Sequence, residues 1–321
     1  MGIKIGLTLP NRGVLLGATT PAELVDLAVI ADQAEGFDSV WVGDSLLAKP
    51  RLESITLLAA VAARTSRVKL GPACMASFPL RDPILLADQW ASLDQLASGR
   101  TILVACNGNV VQEGVNVELD YYGVTPSTRV GRVTEGVQIL RKLWTEDDVS
   151  FHGKHFSFDH VSIAPKPVDG AKTPIWLAVH PPSDRPDQIE KAHNRIVKYA
   201  NGWQTSKWPH EDLKWRVDDL KAKAAAAGTS VFTHLYHNVN LTNDLTLATA
   251  ESKKFLDAYY TADYTEDYVR GWTAQGTAEQ VIARIKSYED IGFDGITLRI
   301  TSWNQREQLD RFINEVLPHF A

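Results

Sequence analysis

The strongest constraint on the fold is a phrase used twice. "EGFDSVWVGDS" runs from Glu35 to Ser45 and "IGFDGITLRITS" from Ile291 to Ser302, each a helix end, a Gly-Phe-Asp turn and a short apolar strand. Glycine ends a helix because it adopts the left-handed backbone that releases the chain. Equivalent joints near both ends of a chain are what a closed ring of βα units produces. A chance recurrence of a common turn is the alternative, so the elements in between must decide.

They keep one rhythm. "IKIGLTLP" (residues 3–10) alternates Ile3, Ile5, Leu7 and Leu9 as a strand closed by Pro10. "TPAE" follows with Thr20 as N-cap, proline at the first helical position and Glu23 completing a capping box. Leu24, Leu27, Ala28 and Ala31 then form one buried stripe. "DSVWVGD" is the second strand. A helix over Leu52–Thr65, the strand "VKLGPAC", the helix of "RDPILLADQWASLDQLASGR" and the strand "TILVAC" come next. Beyond them the sequence predicts a helix near Val130–Trp144, a hairpin near Val149–Phe158, the strand "PIWLAV" and a helix over Gln188–Ala200. The strand "VFTHLYHNVNL", a helix capped by Thr277 and Gln280, the strand "GFDGITLRI" and a closing helix ending at Pro318 complete the order. Parallel strands need crossovers, and these helices supply them. A count near eight predicts an α/β fold, a (β/α)8 TIM barrel with insertions, as one domain over residues 1–321; an open doubly wound sheet is the alternative.

Composition narrows the function. A net charge of -6 argues against a surface for nucleic acid or anionic membrane. No apolar run is long enough for a transmembrane helix, and no leader pattern opens the chain, so a cytoplasmic protein is expected. Cys74 and Cys106 are the only cysteines. Without CxxC spacing or a matching histidine pattern they give no metal site. Dinucleotide, P-loop, nucleophile-elbow and zincin motifs are all absent.

In a barrel of this kind chemistry sits where strands end. That rule selects Pro10 and Asn11 as candidate substrate contacts, Asp44 and Ser45, Ala73 and Cys74, Cys106 and Asn107, and His180 after "PIWLAV". The small residues of "LGPACMASFP" suit a platform for a planar ring, or simply fill a tapering barrel top. His234 and His237 fall on opposite faces of their strand, so they do not share a ligand. His234 shares its face with Tyr236, Asn238 and Asn240, and a structural hydrogen-bonding role is expected for it. The tyrosines and tryptophans of "YYGVT", "YYTADYTEDY" and "GWQTSKW" are candidates for a pocket lining, or for packing.

Taken in order, "GFDSVWVGDS", "RTSRVKLGPACMASFPLRDPILLADQWASLDQLASGR", "RVGRVTEGVQILRKLWTEDDVSFHGKHFSF", "APKPVDGAKTPIWLA", "YANGW" and "GTAEQVIARI" resemble the bacterial luciferase-like superfamily, collinearly from residue 3 to 320. That superfamily comprises flavin monooxygenases and coenzyme F420-dependent oxidoreductases. The resemblance implies a flavin at the C-terminal mouth, held against a bulge after the third strand, often with a non-prolyl cis peptide, here Ala73-Cys74. It places Cys106 where luciferase carries a reactive thiol, makes Asn107 a candidate for the pyrimidine edge, and puts the phosphate near Ala178, Val179, Ser183 and Arg185. Two departures stand out. "LAVHPPSDRPDQ" lacks the glycines of the usual phosphate loop, and Asp44-Ser45 stands where many members carry histidine, leaving Asp44 or His180 for proton transfer. The leading expectation is a monooxygenase using reduced FMN from a separate flavin reductase. The alternatives are an F420-dependent hydride-transfer enzyme, a flavin-binding protein without turnover, and an unrelated barrel hydrolase. Family analogy implies a homodimer or homotetramer.

Overall fold

A computed structural model describes residues 2–108, 114–206 and 209–320. In chain order its strands are β1 (Lys4–Leu9), β2 (Phe37–Val42), β3 (Lys69–Pro72), β4 (Leu103–Cys106), β5 (Val149–His152), β6 (Ser157–Val161), β7 (Ile175–Ala178), β8 (Gly202–Thr205), β9 (Phe232–Leu241), β10 (Thr273–Gly276) and β11 (Gly295–Ile300). The helices are α1 (Pro21–Gln33), α2 (Ser54–Ala62), α3 (Pro83–Leu96), α4 (Val115–Tyr121), α5 (Arg129–Thr145), α6 (Pro186–Tyr199), α7 (His210–Ala226), α8 (Leu245–Tyr260), α9 (Glu266–Trp272), α10 (Ala278–Asp290) and α11 (Gln305–Arg311).

Parallel pairing runs β3-β2-β1-β11-β9-β8-β7-β4, and the two ends of that path meet. Leu70 of β3 accepts from the Ile102 N–H at 2.8 Å, Leu70 N–H donates to Arg100 O at 2.9 Å, and Met75 N–H donates to Val104 O at 2.8 Å. These bonds close an eight-stranded (β/α)8 barrel and rule out the open sheet. The repeated phrase is explained: β2 and β11 flank β1 on its two sides, with Leu7 opposite Val40 and Leu298. β10 pairs with the end of the long β9 outside the ring, and β5 and β6 form a separate antiparallel hairpin between α5 and β7.

The caps form as the sequence predicts. Thr20 and Glu23 make a reciprocal capping box, as do Thr277 and Gln280, while Asp82 accepts from the N–H groups of Ile84 and Leu85. One barrel strand escapes sequence reading. β8 is four residues, "GWQT", too short for a visible period. Gly202 is required there, since a Cβ would lie 2.2 Å from the Trp176 ring. Trp203 of that stretch is buried and stacks on Phe293, so it serves packing; Trp208 lies outside the described residues.

Inside the ring, His234 lies 4.8 Å from the Trp41 ring and 5.2 Å from that of Trp176, and its Nδ1 accepts from Gln204 Nε2 at 3.0 Å. His237 points the other way, onto Tyr288 of α10. Burial lowers the His234 pKa to about 3. The folded protein therefore keeps this ring neutral at a pH where the unfolded chain protonates it. Stability is unaffected above about pH 6.5 and falls below it, by roughly 1 kcal/mol per pH unit from this group. Urea midpoints measured between pH 7 and 4 should drop for the wild type, and drop less for His234→Gln.

Candidate active site

At the C-terminal ends of the barrel strands lies a cavity of about 840 Å³, within the usual range for small-molecule sites of about 300–1,000 Å³. No helix among the described residues is long and apolar enough to cross a membrane, and no cluster of three or more His, Cys, Asp or Glu suited to a metal occurs among them.

One wall is flat and small. Ala73, Cys74 and Ala76 follow β3, and Gly108 follows β4. The Ala73–Cys74 peptide is cis. Gly108 has φ of 68°, and a Cβ there would sit 3.3 Å from Ala76 O, so the backbone itself forms the surface. The Cys74 and Cys106 thiols shift one another: Cys106 is held below the usual thiol range, first by Cys74 and further by the Gly108 N–H, from which it accepts at 3.3 Å, while Cys74 is pushed well above it. Arg129, buried in α5, clamps the carbonyls of Asn107 and Gly108, the latter at 3.0 Å.

Asp44 lines the cavity as expected, but both carboxylate oxygens are engaged. Oδ1 accepts from Ser54 Oγ at 2.7 Å and lies 3.5 Å from Arg81; Oδ2 accepts from the Ser77 N–H at 2.7 Å. It ties the β3 loop to the start of α2. Ser45 Oγ accepts from the Lys49 N–H at 3.1 Å and shapes the following turn. Glu118 of α4 accepts from the N–H groups of Leu46, Leu47 and Ala48 at 3.0–3.3 Å, holding the β2 loop from the far side.

His180 faces the cavity with Nδ1 3.1 Å from Thr205 Oγ1. The side chain is exposed at the cavity mouth. Desolvation by the surrounding walls, and then the Arg216 guanidinium, lower its pKa from the ordinary value.

Five expected residues do not coincide with the cavity wall. Asn11 is fully buried and its amide is committed, accepting from Gly43 N–H at 3.1 Å and donating to Gly43 O at 2.8 Å and Leu52 O at 3.0 Å. It clamps the β1 and β2 ends together instead of meeting a substrate, and Pro10 beside it is equally buried. Ser183 and Arg185 are exposed on the loop before α6, where Ser183 Oγ accepts from Arg216 at 3.2 Å. Ala178 borders only a minor recess beneath the cavity, next to Val179, which does line it. In place of Ser183 and Arg185, α6 presents Gln188, Lys191 and Arg195 at helical spacing.

The wall opposite α6 was invisible to strand-end reasoning. Tyr259 and Tyr260, from the end of α8, join Tyr236 of β9, Lys49, Arg51 and Arg299 of β11. The signal for Arg299 was present: a lone arginine inside the apolar run "ITLRI" has no place in a barrel strand unless it faces something polar. Of the other aromatic stretches, Tyr121 and Tyr122 are exposed, and Tyr264 stacks on Tyr268 outside the cavity at 4.8 Å.

Known proteins agree with this architecture. The chain is 27% identical over 325 residues to an F420-dependent glucose-6-phosphate dehydrogenase of Nocardia farcinica, covering 93% of this chain and 94% of that protein. It is 26% identical to the protein of the same name from Rhodococcus hoagii, covering 99% and 97%. Among solved structures, an F420-dependent secondary alcohol dehydrogenase superposes with a TM-score of 0.83 at 18% identity over the whole of both chains. A monooxygenase from Streptomyces bottropensis superposes with a TM-score of 0.81 at 22% identity, covering 99% and 100%. At these identities the superpositions speak for the fold. The family model described as luciferase-like monooxygenase matches residues 3–295, nearly the whole chain. The barrel, its cavity and this match together make the chain a member of the luciferase-like monooxygenase family.

Proposed function

We propose that this protein is an oxidoreductase using coenzyme F420 as its hydride carrier, in preference to an FMN monooxygenase. The observation that carries the reading is the cationic flank of the cavity, where Arg129 of α5 and Lys191 and Arg195 of α6 stand in place of a glycine-rich phosphate cradle. FMN ends in one phosphate, which a short nest of backbone N–H groups suits. F420 continues past its phosphate into a chain of carboxylates, for which a spaced series of cations is the better complement. The full-length likeness to enzymes named F420-dependent supports the same choice.

The small-residue wall of Ala73, Cys74, Ala76 and Gly108 would carry the flat ring. When bound, the coenzyme supplies hydride acceptance; binding, orientation and proton handling fall to the side chains. Asp44 is not the proton acceptor in this reading, because Ser54, Ser77 and Arg81 occupy it. His180 is: in the neutral tautomer whose Nδ1–H donates to Thr205 Oγ1, 3.1 Å away, it would present the Nε2 lone pair to a substrate hydroxyl. The tyrosines of the far wall enclose the substrate and limit water.

The test is a fluorescence titration of wild type and Arg195→Gln with F420. Loss of one charge-assisted contact should weaken binding by about tenfold, with the melting temperature unchanged. Equal affinity in the two proteins would remove the tail contact on which the reading stands.

A further inference from the structure

Arg299 is an anomaly that hydride transfer does not use. Its side chain is 1% exposed, yet no carboxylate pairs with it among the described residues. One terminal nitrogen donates to Tyr260 Oη at 3.0 Å and the other to Asn238 Oδ1 at 2.8 Å, while Nε has no partner. The guanidinium lies 4.3 Å from the Tyr259 ring centroid, 4.9 Å from Tyr260 and 5.4 Å from Tyr236. Aromatic faces ease the burial of a cation but do not neutralise it.

Further cations gather on the same tyrosines. Lys49 Nζ is 4.8 Å from the Tyr260 centroid, and the Arg51 guanidinium is 5.6 Å from that of Tyr259. Arg12 stands behind them, donating to Pro50 O and Thr261 Oγ1, with no carboxylate partner among the described residues. Among the described residues the acids that line this cavity, Asp44 and Glu118, are already bound to hydroxyl, guanidinium and backbone groups. Burial, then Arg51, Arg12 and Arg299, lower the Lys49 pKa to about 7, as befits cations crowded without an anion between them.

We propose that this end of the cavity is a substrate subsite for an anionic oxygen group, a carboxylate or a phosphate, seated against Lys49, Arg51 and the Tyr260 hydroxyl over the charge of Arg299. Tyr260 Oη takes a hydrogen bond from Arg299, so its own proton is left for Tyr236 Oη at 3.2 Å or for the ligand. The tyrosine faces cover the carbon skeleton next to the charged group. The cationic flank on α6 follows β7, whereas Lys49 and Arg51 follow β2, and β3 and β4 with the small-residue wall stand between those strands in the ring, so the two groups are separate places for an anion. As a statement about substrate, the proposal rests on the oxidoreductase reading; as a statement about anion binding, it stands alone.

Calorimetric titration of the full chain with inorganic phosphate and with malonate, each against chloride at matched ionic strength, tests it. At least one anion should bind the wild type, with affinity reduced by about tenfold in Arg299→Gln and in the double variant Lys49→Met/Arg51→Gln. Arg195→Gln should leave the component of anion binding that depends on Lys49 and Arg51 as it is in the wild type, whatever it removes at the α6 flank, and F420 affinity measured alongside should be the same in the wild type and the double variant. The tighter of phosphate and malonate identifies the group. No binding above the chloride background, or binding indifferent to Lys49 and Arg51, would overturn the subsite, and the double variant decides this even if Arg299→Gln does not fold. Anion binding that follows the predicted pattern in a protein that does not bind F420 would support the subsite and sink the coenzyme reading instead.

Discussion

Replacing Gly71 by alanine should destabilise this protein by about 3 kcal/mol or more, because the new methyl group has nowhere to go. A Cβ at Gly71 would stand 2.3 Å from Ile102 O and 2.8 Å from the Trp41 ring. Ile102 lies in the segment that joins β3 to β4, with its own N–H bonded to Leu70 O. The colliding atom is therefore backbone at the seam where the barrel closes, and no rotamer change relieves it. Gly17→Ala is the matched control: φ is 71° there, but nothing lies within 4 Å of the added carbon. It should cost only about 1 kcal/mol, from backbone strain alone. Urea unfolding of the two variants reads the difference directly, and a Gly71→Ala protein as stable as Gly17→Ala would mean the seam is not closed as described.

Asp44→Asn should lower stability by about 3 kcal/mol and weaken coenzyme binding with it. The carboxylate is buried and meets three donors, Ser54 Oγ, the Ser77 N–H and Arg81. An amide of the same shape must turn its NH₂ toward one of them, leaving two donors face to face, while Arg81 keeps only Glu53, at 2.7 Å, as its carboxylate partner. Ser77 belongs to the loop that continues the small-residue wall, so loosening it also disturbs the ring platform. A proton-transfer role would give the opposite pattern, with stability and coenzyme affinity intact and turnover lost. Unfolding curves and coenzyme titrations of one variant thus separate a bracing carboxylate from a catalytic one.

The barrel was readable in the sequence because its signals are local. A capping box such as Thr20/Glu23, a helix stripe and a Gly-Phe-Asp joint each lie within a few residues, and strand-end reasoning reaches Asp44, Cys74, Cys106 and His180 on the cavity wall. What could not be read was whatever depends on distant partners. Asn11 sits at a strand end yet turns its amide into the β1–β2 clamp, because the unpaired backbone of Gly43 and Leu52 needs it more than solvent does. The four-residue β8 shows no period, and its glycine is demanded by Trp176, 26 positions earlier. The cationic flanks were missed for a third reason. Lys191 and Arg195 look like an ordinary solvated helix face until α6 is docked, and Lys49 and Arg51 lie in a loop of no marked pattern.

Site reading also shifted the expected chemistry. Two altered motifs, the lost phosphate glycines and the missing strand-two histidine, left the phosphate site and the proton acceptor open and favoured a flavin-binding protein without turnover as one alternative to the FMN monooxygenase. The cavity holds groups of another kind: cations along α6, and the imidazole of His180 at the end of β7. Both lie in this chain's own cavity, and in the proposed reading both serve hydride transfer to F420 without a reductase partner.

The most direct measurement is a side-by-side titration of the purified protein with F420 and with FMN, at one ionic strength and without oxygen. F420 should bind at least about tenfold more tightly than FMN, since several charge-assisted contacts to its tail have no counterpart in the shorter molecule. Tighter binding of FMN would contradict the account and return the protein to the monooxygenase side of its family.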